Sequence, residues 1–111
     1  MDVATDVTED GVAVIHAQGR MNMAAAPLVR STVSDLTSAG RSRIVVDLAG
    51  VTFIDSSGLG ALIGGLKAAR QADGDLRIAA PTEQVLTVLG LTNLDRVLRP
   101  HPTVEAALDG W

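Results

Sequence analysis

Arg43-Ile44-Val45-Val46-Asp47-Leu48-Ala49-Gly50-Val51-Thr52-Phe53-Ile54-Asp55-Ser56-Ser57-Gly58-Leu59-Gly60 is the stretch on which the fold turns. Its first half, Arg43 to Leu48, is a nearly continuous β-branched run, the pattern of a strand covered on both faces. A loop with Gly50 then leads to a second short extended piece, Val51 to Ile54. Asp55, Ser56 and Ser57 are three consecutive helix-capping residue types ahead of Leu59. A buried strand handing over directly to a helix, running to about Ala72, is the predicted centre of the molecule.

Upstream, Asp10-Gly11 separates two β-prone stretches, Val3 to Thr8 and Val12 to Gln18, and predicts an opening hairpin. From Asn22 the period becomes helical, with Leu28, Thr32, Val33 and Leu36 in phase and Gly40 placed to stop the helix. Asn22 is positioned to cap its start, while Pro27, tolerated only in or near a first turn, draws the start toward Ala25. Downstream, Asp73-Gly74-Asp75 turns into a strand from Leu76 to Ala80. Thr82 then caps a helix over Glu83 to Leu89 that Gly90 ends. Val97-Leu98 is expected to give a last short strand, and Thr103 to Leu108 a closing helix. This alternation predicts one α/β domain over residues 1–111, a mixed sheet of four or five strands with helices packed mainly on one face.

Composition narrows the function. With 47% hydrophobic and 20% charged residues, the chain can build a core. Phe53 and Trp111 are the only aromatic residues, so bases have almost nothing to stack on, and a net charge of −4 opposes phosphate backbones and anionic lipid. Neither nucleic acid nor a membrane is an expected partner. The chain has no cysteine, which removes thiol chemistry and thiolate metal sites and fits a reducing cytoplasm. The acidic start, Met1 to Asp6, carries no export signal, and no apolar run is long enough to span a bilayer.

The helix after Asp55 carries the functional information. Leu59, Leu62, Ile63 and Leu66 form its expected buried stripe. The opposite face collects Ser57, Gly60, Ala61, Gly64, Gly65 and Ala68, with Lys67 and Gln71 at the margin. Interior glycines each cost a helix about 1 kcal/mol against alanine. The compensation is a close approach, made either by a partner or by another element of the same chain. At the helix start, unpaired N–H groups would tolerate a phosphate esterified to serine. The same dianion buried unpaired against a partner would cost several kcal/mol. Ser56 and Ser57 therefore read either as simple caps or as a modification site that spares the fold and blocks an interface.

Val46 to Gly60 resembles the phosphorylation segment of STAS-domain anti-sigma factor antagonists, bacterial regulators of transcription. Gly19-Arg20-Met21-Asn22 is similar to the family's turn before the first helix, and the likeness spans the whole chain. The resemblance implies partner switching. In that family the unphosphorylated antagonist binds an anti-sigma factor, often itself a serine kinase, and frees a sigma factor. Phosphorylation of the serine after the aspartate, here Ser56, ends that binding, and a metal-dependent serine phosphatase restores it. Asp55, Ser57, Gly58, Gly60, Ala61, Gly64, Ala68 and Asn22 would then surround or form the partner contact. Asn22 departs from the family, whose members commonly carry aspartate there. A second reading is a STAS subunit of a larger lipid-transport or stress-signalling complex in which Ser56 is never phosphorylated.

Enzymatic readings fail on spacing. The third glycine of a dinucleotide fingerprint begun at Gly58-Leu59-Gly60 would fall at Ile63. Ser56 and Ser57 lack the preceding glycine of a nucleophile elbow. His16 in a strand and His101 between Pro100 and Pro102 are expected at surface or edge positions, not as metal ligands. Arg96, Arg99 and His101 read as a solvated basic edge, and Trp111 as a residue packed on the surface or disordered. No catalytic residue and no cofactor are expected.

Overall fold

Ile44, Val45, Val46 and Leu48 are at most 1% exposed, so consecutive side chains of one strand are buried on opposite faces. In the computed structural model, which describes residues 1–111, this strand is the middle of a five-stranded sheet. The elements are β1 (Asp2–Val7), β2 (Ala13–Met21), α1 (Ala26–Ser38), β3 (Arg43–Ile54), α2 (Ser56–Gln71), β4 (Asp75–Ala79), α3 (Glu83–Thr92), β5 (Pro100–His101) and α4 (Val104–Leu108). The strands lie side by side in sequence order. β1 and β2 pair antiparallel, and every later pair is parallel.

Ile15, Ala17, Ile44, Val46, Leu76 and Ile78 put one face of the sheet into a core shared with α1, α2 and α3. Val14, Val45 and Ala79 face the other way and are covered by α4 through Ala107, with Trp111 packed alongside. Trp111 is ordered against Arg77, whose guanidinium carbon stands 4.0 Å from the ring centroid. Where α4 does not reach, His16 places Nδ1 at 2.8 Å from Asp47 Oδ2 and Nε2 at 3.2 Å from Asp6 Oδ2. That chain of contacts ties β1, β2 and β3 across the open part of this face.

Several expected boundaries move. The hairpin turn spans more than Asp10-Gly11: the Gly11 N–H donates to the Thr8 carbonyl at 2.9 Å, and Gly11 adopts φ +83°, which glycine accepts without strain. Gly50 does not break the chain, and β3 continues through it to Ile54 beside β2, with irregular register near that point. α1 buries Ala26, Val29 and Val33 and packs Leu36 against the core, whereas Leu28 is 39% exposed, its place at the start of the inward stripe being taken by Val29. α3 passes Gly90 and ends at Thr92, where Asn93 takes the left-handed conformation that glycine was expected to supply. Val97-Leu98 is not a strand. It follows a 3-10 turn at Leu94–Arg96, and the pairing with β4 is made instead by Pro100 and His101.

Candidate functional site

β2, β3 and β4 run parallel, so their carboxyl ends and the loops that follow gather at one end of the sheet, the place where such sheets present their ligand-facing residues. Asn22 shapes the first loop. Its Oδ1 accepts the Ala25 N–H at 3.1 Å and its carbonyl accepts the Ala26 N–H at 2.9 Å, so it holds the turn that enters α1 at Ala26. Pro27 sits in the first turn, as its missing N–H requires.

The second loop is clamped to the first. The Asp55 N–H donates to the Met21 carbonyl at 3.4 Å, and Gly58 packs so closely that an added Cβ would run into the Met21 carbonyl oxygen. Asp55 is the cap of α2: its Oδ1 accepts the Gly58 N–H at 2.9 Å and its carbonyl the Leu59 N–H at 3.0 Å. The cap therefore belongs to Asp55, and Ser56 becomes the first helical residue with its side chain in solvent. Ser57 is half-buried. Losing an N-cap costs roughly 1 kcal/mol, so Asp55→Ala is expected to lower Tm by about 4 °C while Ser56→Ala leaves it unchanged. Thermal unfolding of the two variants checks this, and equal losses would move the cap to the serine.

The third loop fastens the second from the other side. β4 pairs with β3 only as far as Asp47 opposite Ala79, so the rest of β3 has no strand on that flank. Side chains from the start of α3 take its place. Thr82 Oγ1 donates to the Val51 carbonyl at 2.9 Å, the Ile54 N–H donates to Gln84 Oε1 at 2.9 Å, and Gln84 Nε2 donates to the Ile54 carbonyl at 3.4 Å. Sequence reading did not single out Gln84, because nothing local marks a glutamine that mimics a strand thirty residues away. Gln84→Ala should cost about 1–2 kcal/mol by stranding buried backbone groups. Amide exchange at Ile54 is the direct readout, and unchanged protection there would sink the assignment.

Along α2, Ser56, Gly60, Gly64 and Lys67 form the exposed ridge, with Gln71 below them. Gly60 and Gly64 have no packing reason inside the chain: a Cβ at Gly64 meets nothing within 4 Å, and one at Gly60 meets only Arg30 Nη2 at 4.0 Å. Ala68 is half-buried and lines, with Arg30, Ser34, Thr37 and Gly64, a groove of about 220 Å³ between α1 and α2. Other expected contact residues point inward. Ala61 is 0% exposed and Gly58 is buried, while Gly65 faces Val33 and Leu76, so these three serve close approach within the chain. Ile63, expected in the buried stripe, is half-buried. Met23, 74% exposed next to Asn22, adds an apolar side chain to this end that sequence reading had passed over.

A second cavity, of about 490 Å³, opens along β4 and β5 and includes Arg70, Arg77, Arg99 and His101. It contains the expected basic edge without Arg96. Two of its cations are already engaged, since Arg70 Nε meets Asp75 at 3.2 Å and Arg77 donates to the Ala107 carbonyl at 2.8 Å. No helix is long and apolar enough to cross a membrane.

Known proteins share this architecture. A Thermotoga maritima protein named as a candidate anti-sigma factor antagonist is 32% identical over 101 residues, 90% of this chain and 89% of its own. The crystal structure of an anti-sigma factor antagonist from Mycobacterium paratuberculosis, 27% identical, superposes with a TM-score of 0.81 over 96% of this chain and 92% of that one. The anti-sigma factor antagonist SpoIIAA shares the fold in its unphosphorylated form, with TM-score 0.81 at 22% identity over 97% of this chain and 94% of that one. The phosphorylated form of Bacillus SpoIIAA does so with TM-score 0.73 at 21% identity over 97% of both chains. The STAS domain family model matches residues 4–107, nearly the whole chain, and the chain belongs to the STAS domain family.

Proposed function

We propose that this chain is a cytoplasmic anti-sigma factor antagonist. In the unphosphorylated state it binds an anti-sigma factor of the serine-kinase type and releases a sigma factor. Phosphorylation of Ser56 ends the complex, and a serine phosphatase restores it. The observation that carries the reading is the division of labour at the start of α2. Asp55 caps the helix, so the exposed Ser56 hydroxyl is spared for chemistry at the head of a ridge whose glycines have no packing role in the chain. A phosphate there adds close to two negative charges at a helix start, which the fold tolerates, and places them where a closely packed partner would have to bury them. That SpoIIAA, which shares the fold, is known in a phosphorylated form supports the reading.

Incubation with anti-sigma kinases and ATP, followed by intact-mass analysis and binding measurements, tests the reading. Wild type should gain one phosphate, Ser56→Ala none, and affinity should be lost only on modification. If no kinase modifies the chain and Ser56→Asp binds as wild type does, the switch is refuted, and co-purification with a larger assembly becomes the expected behaviour.

A further inference from the structure

Arg30 is an exposed cation on α1 that takes no part in the ion pairs of the chain, which join His16 to Asp6 and Asp47, and Arg70 to Asp75. Its Nη2 is the one atom within 4 Å of the position a Cβ on Gly60 would occupy. Ser56 lies four residues before Gly60 on the same helical ridge, where neighbouring side chains start about 6 Å apart. The guanidinium therefore stands within about 10 Å of the Ser56 Cβ, with only the bare Gly60 step between them. A phosphate ester on Ser56 and the long, exposed side chain of Arg30 have the combined length to span that distance.

We propose that Arg30 is the receiver of the Ser56 phosphate, folding it back over Gly60. The proposal rests on Ser56 as the phosphorylated residue and adds what the phosphate does once attached. Other cations are badly placed for the role. Lys67 lies eleven residues along the helix, roughly 16 Å away, Arg20 stacks on Phe53 at 4.3 Å, and Arg70 is engaged by Asp75. A planar guanidinium matches phosphate oxygens with two parallel N–H donors, which holds the group in one place. Held there, the phosphate fills the space that Gly60 leaves open. The modification then closes the ridge by shape as well as by charge. A side chain at position 60 would stand in the way, which gives Gly60 a use that packing within the chain does not.

Phosphoserine encoded at position 56 during translation supplies the phosphate without any kinase, so the comparison is independent of whether a kinase recognises this chain. Wild type, Arg30→Gln and Arg30→Lys are each compared with and without the phosphate. At low salt the phosphate should raise the Tm of wild type by about 2 to 4 °C more than it raises that of Arg30→Gln, which keeps only the helix-start contribution, and this difference should fade in high salt. The ³¹P titration of the phosphoserine should occur at lower pH in wild type than in Arg30→Gln, with Arg30→Lys between them, because a nearby cation favours the dianion. Unphosphorylated Arg30→Gln, altered only at an exposed residue, should melt as wild type does. Superimposable titrations and equal phosphate effects in all three proteins would overturn the proposal. So would a loss of partner binding in unphosphorylated Arg30→Gln without any change in the phosphate titration, which would assign Arg30 to the partner contact instead. Failure of kinases to modify the natural chain would count against the function proposed above and leave this comparison standing.

Discussion

Gly58→Ala should be the most damaging single-methyl change in the site, costing about 3 kcal/mol and roughly 12 °C in Tm. The added Cβ would meet the Met21 carbonyl oxygen head on and lie 2.9 Å from Ile54 Cγ1, and the oxygen is backbone, so it cannot rotate aside. Relief requires moving the start of α2 away from the end of β2. That motion breaks the Asp55 N–H to Met21 hydrogen bond and disturbs the Asp55 cap on the Gly58 N–H. The control lies two turns further along the same helix. Gly64→Ala meets nothing within 4 Å and gains helix propensity, so it should stabilise the chain by about 0.5–1 kcal/mol. Denaturant unfolding of both variants decides the matter. Similar effects of the same sign would mean that the two loops are not clamped through Gly58.

That contrast also marks where the sequence stops being legible. The β-branched run of β3 and the capping residues at Asp55 to Ser57 announce a strand and a helix through local propensity, so the handover between them could be placed without coordinates. Which of three adjacent capping residues caps, and which glycine is buried, depends on the rotation of α2 against its neighbours. Leu59, Leu62 and Leu66 are buried as their spacing predicts, but the buried arc is wider than the leucine stripe and takes in Ala61, Gly65 and Ala69. Ala61, Gly58 and Gly65 are small because β2, α1 and β4 press on them, whereas Gly60 and Gly64 are small with nothing pressing. The amino-acid types are the same, and only the packing separates them. Gln84 was invisible for a related reason: its two hydrogen bonds to Ile54 link residues thirty apart, and no periodic pattern encodes that distance. The strand expected at Val97-Leu98 failed because β-propensity outvoted geometry. Leu98 is buried as a core residue beneath the 3-10 turn, and the short edge pairing passed to a proline and a histidine, residues with little strand signal of their own.

Gly64→Leu should separate folding from function more sharply than any change at Ser56. With no atom of the chain near the glycine, a leucine can rest over the groove beside Arg30 and Ala68 or stay in solvent, and its helix propensity exceeds that of glycine by roughly 0.8 kcal/mol. The fold should therefore become more stable, with Tm rising by about 3 °C. Binding to the anti-sigma partner should move the other way. A partner that approaches the ridge closely enough to use two glycines has no room for an isobutyl group between the helices. A hundredfold loss of affinity, about 2.7 kcal/mol, is the expected outcome by titration calorimetry, with Ser56→Ala binding as wild type. Opposite signs in one variant cannot arise from damage to the fold, which would weaken both. If Gly64→Leu binds as tightly as wild type, the close-approach ridge along α2 is not where the partner sits. The contact then contracts to the three loops at the carboxyl end of the sheet, around Asn22, Met23 and Ser56.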